Sequence, residues 1–230
     1  DWSSDVCSSD LKRFPQSFRD LTPIAGTIGD YAALVVKADS PLKSFKDLVA
    51  VYNKNPAEVA IAGGSVPGGM DHLVAAMAFK AAGADPTKVT YLPFDAGGKA
   101  MAALLSGEAD ALSTGLGEAL DLAKAGEIRI LVSTAGKRIN EAPDVQTLVE
   151  QGFDATFVNW RGFFAVPGLP ADKAAAYAKA LGDVQATPEW EAVRKRNGWV
   201  NIYNPGADFT KFLENQEAVI QGLMKELGFL

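Results

Sequence analysis

The chain has 230 residues, enough to bury a full core as one large α/β domain or two smaller lobes. Its formal net charge is −6 and its pI about 4.9, which argues against nucleic acid as a partner. With 48% hydrophobic and 22% charged residues it is ordinary for a globular protein, and no apolar run reaches the ~20 residues of a membrane span.

Residues 1–10, DWSSDVCSSD, nearly repeat SSD and show no helical or strand period. They read as translated adapter sequence, a non-native leader to be left out of fold reasoning, and they lack the basic and apolar regions of a secretory signal. Cys7, the sole cysteine, lies inside them. A native part without cysteine suits an oxidising compartment such as the periplasm.

Residues 11–28 are mixed and broken by proline, and predict no element. Tyr31 to Lys37 (YAALVVK) predicts a strand. Ser44 then opens a helix as its N-cap. The most informative stretch is VAIAGGSVPGGMDHLVAAMAFKAAG, Val59 to Gly83. A strand over 59–62 runs into Gly63-Gly64-Ser65-Val66-Pro67-Gly68-Gly69. A helix follows over about 70–82, with Leu73, Met77 and Ala81 as its buried stripe and Gly83 just past its end. Amides in the first turn of a helix lack intrahelical partners and carry the positive end of the macrodipole, so such a joint suits an anion.

The same joint recurs twice. Strand 89–93 ends in Phe94-Asp95-Ala96-Gly97-Gly98 before a helix over 99–105. Strand 109–114 ends in Gly115-Leu116-Gly117 before a helix over 118–125. Successive βα units imply a mostly parallel sheet whose loops gather at one edge, where α/β proteins bind ligands. Residues 128–134 predict a further strand, Pro143 to Gly152 a short helix, and 163–166 another strand. Helices are then expected over 171–184, over 188–197 and after Asp208 as a cap, with no further strand among them. The last carries Phe209, Phe212, Leu213, Val219, Ile220, Leu223, Met224 and Leu227 as its apolar stripe. A βα block bracketed by two apolar strands fits a two-lobed chain that crosses over and returns.

Enzyme signatures are weak. His72 is the sole histidine, and Gly63-Gly64-Ser65-Val66-Pro67 lacks the final glycine of a nucleophile elbow. Gly97-Gly98-Lys99-Ala100 lacks the spacing and hydroxyl of a phosphate loop. One histidine and scattered carboxylates support no metal site. His72 is expected to hold loop backbone. Trp160-Arg161 reads equally as a ligand contact or as a structural anchor where the chain re-enters the first lobe.

An ordered set of motifs adds to this reading. It runs through Leu21-Thr22-Pro23-Ile24-Ala25, Asp39-Ser40-Pro41, Gly63-Gly64-Ser65 to Asp71-His72-Leu73, and Pro93-Phe94 with Gly97-Gly98. It continues through Leu104-Leu105-Ser106-Gly107-Glu108-Ala109-Asp110, Pro143-Asp144-Val145, Trp160-Arg161-Gly162-Phe163 and Val166-Pro167-Gly168-Leu169-Pro170. On these marks nearly everything after residue 20 resembles the tripartite tricarboxylate transporter substrate-binding receptors, the TctC or Bug family. The resemblance implies a type II periplasmic binding protein of two α/β lobes. Residues 11–38 would be a remnant of lobe 1 with the crossover strand, 39–158 lobe 2, and 159–230 the return to lobe 1. It implies a periplasmic receptor, not an enzyme and without a cofactor. A tri- or dicarboxylate or an aromatic acid would be its ligand and the membrane permease subunits its partners, with the receptor itself a monomer.

The implied ligand contacts are Gly64, Ser65, Gly68, Gly69, Ala96, Gly97, Gly98 and Thr114, with His72, Asp95, Trp160 and Arg161 near the site or undecided. The chain departs from the family pattern in lacking a signal segment and a first βα unit, so a truncated first lobe is expected. Gly69 stands where many members have serine, and Asp95 where many have a neutral or basic residue. The alternatives are the effector-sensing domain of a transcription regulator, which would need a helix-turn-helix, and an α/β hydrolase acting through Ser65.

Overall fold

The computed structural model describes residues 17–230; the leader expected over 1–10, with Cys7, lies outside the described residues. The chain divides into two compact units, one of residues up to Asp30 with Trp160–Leu230, the other of Tyr31–Asn159.

The central unit is built on a sheet in the order β3-β2-β4-β1-β5. Its strands are β1 (Thr22–Lys37, shared with the other unit), β2 (Ala60–Gly63), β3 (Thr90–Pro93), β4 (Ala111–Gly115) and β5 (Ile128–Ser133). β2 is parallel to β3 and to β4, whereas β1 runs antiparallel to both β4 and β5. The mostly parallel expectation therefore needs one correction: β1 is wedged antiparallel between two strands that run the same way. Ala32 to Val36 are all buried, so this stretch is apolar on both faces and does not reveal its direction in the sequence.

Four helices belong to this unit: α1 (Phe45–Lys54), α2 (Met70–Ala81), α3 (Gly97–Ser106) and α4 (Leu116–Lys124). Ser44 caps α1 in a capping box with Asp47. Gly83 follows α2 at φ +77°, the left-handed turn that glycine allows. The buried face of α2 is wider than the expected stripe and includes Val74, Ala75, Ala78 and Phe79. Phe79 stacks on Tyr52 at 4.0 Å between ring centres, and the Tyr52 hydroxyl donates to the Asp85 carbonyl at 2.6 Å. Arg129 fastens the turn after β1 by donating to the carbonyls of Ala38, Ser40 and Leu42.

The helix expected over Pro143 to Gly152 is a single turn. The amide of Thr147 donates to Glu150 and the amide of Glu150 to the Thr147 hydroxyl, the bonds of a helix start, but Gly152 at φ +90° ends it at once.

In the other unit the first half of β1 pairs with β6 (Val158–Ala165) and β7 (Val200–Pro205). Two expectations fail here. The mixed stretch before Ile28 is strand, and β7 interrupts the closing helices. Pro23, Gly26 and Gly29 masked the first, and the asparagines of VNIYNP the second. The helices are α5 (Ala171–Gln185), α6 (Pro188–Arg196) and α7 (Ala207–Glu226). Gly206, not Asp208, is the N-cap of α7, and Asp208 lies in its first turn. Phe209, Leu213, Ile220, Leu223 and Met224 are buried along α7, while Val219 is exposed. The core of this unit is aromatic: Trp160 meets Phe209 and Phe212 edge-on at 5.6 and 5.9 Å, and Phe18 and Phe164 complete the cluster.

Candidate anion site

β3, β2 and β4 are adjacent parallel strands, and each is followed by a helix: α3, α2 and α4. Three helix N-termini therefore lie in a row along one sheet edge, at the ~4.8 Å strand spacing. None of the three is capped by its own N-cap residue, although at α2 the Ser65 hydroxyl accepts from the first-turn amide of Asp71 at 3.2 Å. Their N-cap residues are Ala96, Gly69 and Gly115, and none makes a side-chain cap hydrogen bond. By contrast Ser44 caps α1 and Thr187 caps α6.

The loops touch. A Cβ on Gly64 would overlap the Gly97 backbone, and one on Gly63 would overlap the Tyr91 hydroxyl and Asp71. Two glycines thus let the first loop lie against the second and against β3. Ala96 and Gly98 are exposed beside Gly97 at the start of α3. Asp95 is turned to solvent and held by Lys99 at 2.7 Å, a bond that lowers its pKa.

Within the 63–69 loop most polar groups are already engaged. Gly68 has φ +81°, and its amide donates to His72 Nδ1 at 3.1 Å. His72 stacks on Tyr91 at 4.6 Å, and burial lowers its pKa, so the imidazole is the neutral acceptor this bond needs. Gly69 donates to the Val66 carbonyl at 2.8 Å. The Asp71 amide donates to the Ser65 hydroxyl oxygen at 3.2 Å. Thr114 is buried and gives its hydroxyl to Glu118 Oε2 at 2.7 Å. Of the expected contacts, the amides of Gly68 and Gly69 and the hydroxyl of Thr114 are engaged within these loops, Gly64 packs on the Gly97 backbone, and the amides opening α3 have no such occupant within their own helix.

Three residues went unread in the sequence. Asp71 is only 6% exposed, and burial pushes its carboxyl pKa up to about 6. Tyr91 donates to the Ser65 carbonyl at 2.7 Å and lies 3.1 Å from the Ser65 hydroxyl, with burial pushing its own pKa up to about 12. Glu118 folds back towards Gly97, where an added Cβ would lie 2.8 Å from Oε2. Acidic residues in a first helical turn read simply as favourable starts; only the fold shows that Asp71 faces the loop. Trp160 and Arg161 belong to the other unit, where Trp160 is buried among the phenylalanines. An edge of uncapped amides, a serine hydroxyl and glycines that admit close approach can hold a small anion. His72, the sole histidine, is committed to Gly68 and Tyr91 rather than to Ser65, so the serine–histidine pair of a hydrolase is not formed.

The sequence model of the tripartite tricarboxylate transporter family receptors matches residues 10–229. The chain belongs to this family. A curated relative from Agrobacterium vitis, a UPF0065 protein in the TAR-I ttuE-ttuC' intergenic region, is 30% identical over 149 residues, 64% of this chain and 42% of the relative. The aligned chain thus spans less than half of that relative's length. A TctC solute-binding protein from Polaromonas has the same fold at a TM-score of 0.81 and 23% identity, over 97% of this chain and 76% of that one. MatC from Rhodopseudomonas palustris, solved with bound malate, matches at 0.80 and 18% identity, over 96% and 76%. The α/β fold is that of the TctC receptors, a family of substrate-binding proteins and not of enzymes.

Proposed function

We propose that this chain is part of a periplasmic receptor that captures a small organic carboxylate and delivers it to the membrane subunits of a tripartite tricarboxylate-type transporter. The observation that carries the reading is the row of three helix N-termini at the edge of β3, β2 and β4, with the start of α3 left open at Gly97 and Gly98. A carboxylate placed there accepts from the amides of Gly97 and Gly98 and gains from the macrodipole of α3. The Ser65 hydroxyl supplies an adjustable partner on the neighbouring loop. Malate in a protein of the same fold supports a di- or tricarboxylate as the ligand class.

The test is a thermal-shift and calorimetric screen of the full chain against malate, citrate, adipate and benzoate. A ligand at one hundred times its Kd stabilises by about 2.7 kcal/mol, so a true ligand raises the melting temperature by several degrees. Absence of any shift across the panel with a folded protein would sink the reading.

A further inference from the structure

We propose that Glu118 is a specificity-determining residue of this edge. It favours carboxylates that carry a hydrogen-bond donor, a hydroxyl or an ammonium, on the carbon next to the carboxylate, and it repels those that lack one. The inference deepens the receptor reading and rests on it for the carboxylate.

The open amides locate the ligand. In α3 the amides of Lys99 and Ala100 both return to the Ala96 carbonyl, at 3.1 and 3.2 Å. Those of Gly97 and Gly98 come before them and have no partner within the helix. Glu118, in the first turn of α4, reaches across to this same start. Its Oε2 lies 2.8 Å from the position of a Gly97 Cβ. A Cβ stands about 2.5 Å from its own amide nitrogen, which puts Oε2 within about 5 Å of the Gly97 amide. Any side chain at 97 would displace the Glu118 carboxyl, so the glycine is what admits it.

One bond holds Glu118 in this place. Thr114, buried at the end of β4, donates its hydroxyl to Oε2 at 2.7 Å. Among the described residues Oε1 accepts no hydrogen bond, and no cation pairs with Glu118. The other charges at this edge are matched or withdrawn. Asp95 pairs with Lys99 at 2.7 Å, and Asp71 is buried against Gly63. Glu118 is therefore the uncompensated charge beside the open amides.

A carboxylate bound to Gly97 and Gly98 meets that charge within the ~8 Å screening length of physiological salt, and a plain one is repelled. A hydroxyl or ammonium on the adjoining carbon turns the same neighbour into a partner by donating to Oε1. Discrimination then comes from the unpaired charge that the wrong ligand leaves standing.

The experiment is calorimetry of the full chain with matched ligands: succinate against malate and aspartate, and tricarballylate against citrate. Each set differs in the donor alone. In at least one set the ligand with the donor is expected to bind roughly ten- to a hundredfold tighter, the range of a hydrogen bond to a charged group. Malate against aspartate tells a hydroxyl from an ammonium. Glu118→Gln keeps the size and removes the charge. It is expected to tighten the ligand without the donor and to shrink the ratio to a few-fold. Glu118 is exposed, so this variant keeps its core, and near-ultraviolet circular dichroism checks that it does. Thr114→Val leaves the charge but releases the side chain, and should lower the ratio by a smaller factor. Equal or tighter binding without the donor overturns the proposal and leaves the receptor reading standing. So does an unchanged ratio in Glu118→Gln, or binding confined to adipate or benzoate. If no carboxylate binds to the folded chain, both fall.

Discussion

Glycine does opposite work in the two units. In the unit of β6 and β7, Gly26 and Gly162 lie against the ring of the fully buried Phe209. A Cβ on Gly26 would come within 3.1 Å of that ring, and one on Gly162 would overlap it. These glycines make room for apolar packing. In the central unit Gly63, Gly64 and Gly97 lie against a phenol oxygen, a backbone amide and a carboxylate oxygen. There the missing side chain brings polar groups together. A glycine-rich loop is thus not by itself a ligand loop; the deciding observation is what an added Cβ would strike.

The largest expected effect is on the aromatic side of this comparison. Phe209→Ala should cost about 3–5 kcal/mol in urea denaturation, because a fully buried ring is removed and its neighbours relax only in part. A loss under about 1 kcal/mol would show that the ring is not what Gly26 and Gly162 accommodate.

Next comes the buried carboxyl. Folding raises the Asp71 pKa from 3.8 to about 6, so the folded chain holds this proton more tightly than the unfolded one. Its contribution is therefore fully favourable below about pH 4, falls as pH rises through 4 to 6, and is flat above. About two pH units at about 1.4 kcal/mol each give a loss on the order of 3 kcal/mol. Asp71→Asn should flatten that segment of the stability profile, measured by denaturation at each pH. An unchanged profile would mean that Asp71 is not desolvated as its burial implies.

Gly64→Ala tests the polar side. A methyl group there must push the first loop off Gly97, at about 1–3 kcal/mol of overpacking. It should also abolish carboxylate binding while the aromatic unit keeps its near-ultraviolet circular dichroism. Unaltered binding would show that contact between the loops is not part of the site.

These sites also mark what the sequence made legible. Local signals were readable: Ser44 as a cap, Gly83 as a helix stop, three strand–glycine–helix joints in succession. The order of strands turns those joints into one edge, and that too follows from βα repetition. What was hidden lies in contacts between distant residues. Tyr91 reaches Ser65 across 26 positions, and no period or motif links them. Asp71 opens a helix, where an acid ordinarily serves the macrodipole, so nothing in the sequence marks it as buried. The first half of β1 carries Pro23, Gly26 and Gly29, which propensity counts against a strand, yet Gly26 there lies close against the ring of Phe209. In the first half of β1, packing overrode propensity.

The smallest effect is the sharpest test of the uncapped edge. Ala96 has the extended backbone of an N-cap, φ −162° and ψ 155°, but no side chain to cap α3. Serine fits this conformation and would give its oxygen to a first-turn amide. Ala96→Ser should therefore raise stability by about 0.5–1 kcal/mol, the mirror of the ~1 kcal/mol that Ser44→Ala should cost at α1. The two helix starts would then part company in function. Ser44→Ala should leave carboxylate affinity unchanged. Ala96→Ser should weaken it several-fold, because the new hydroxyl occupies the amides the anion needs, a trade of activity for stability. Stability gained at Ala96 with affinity intact would place the anion at the starts of α2 and α4 instead, and would remove α3 from the site.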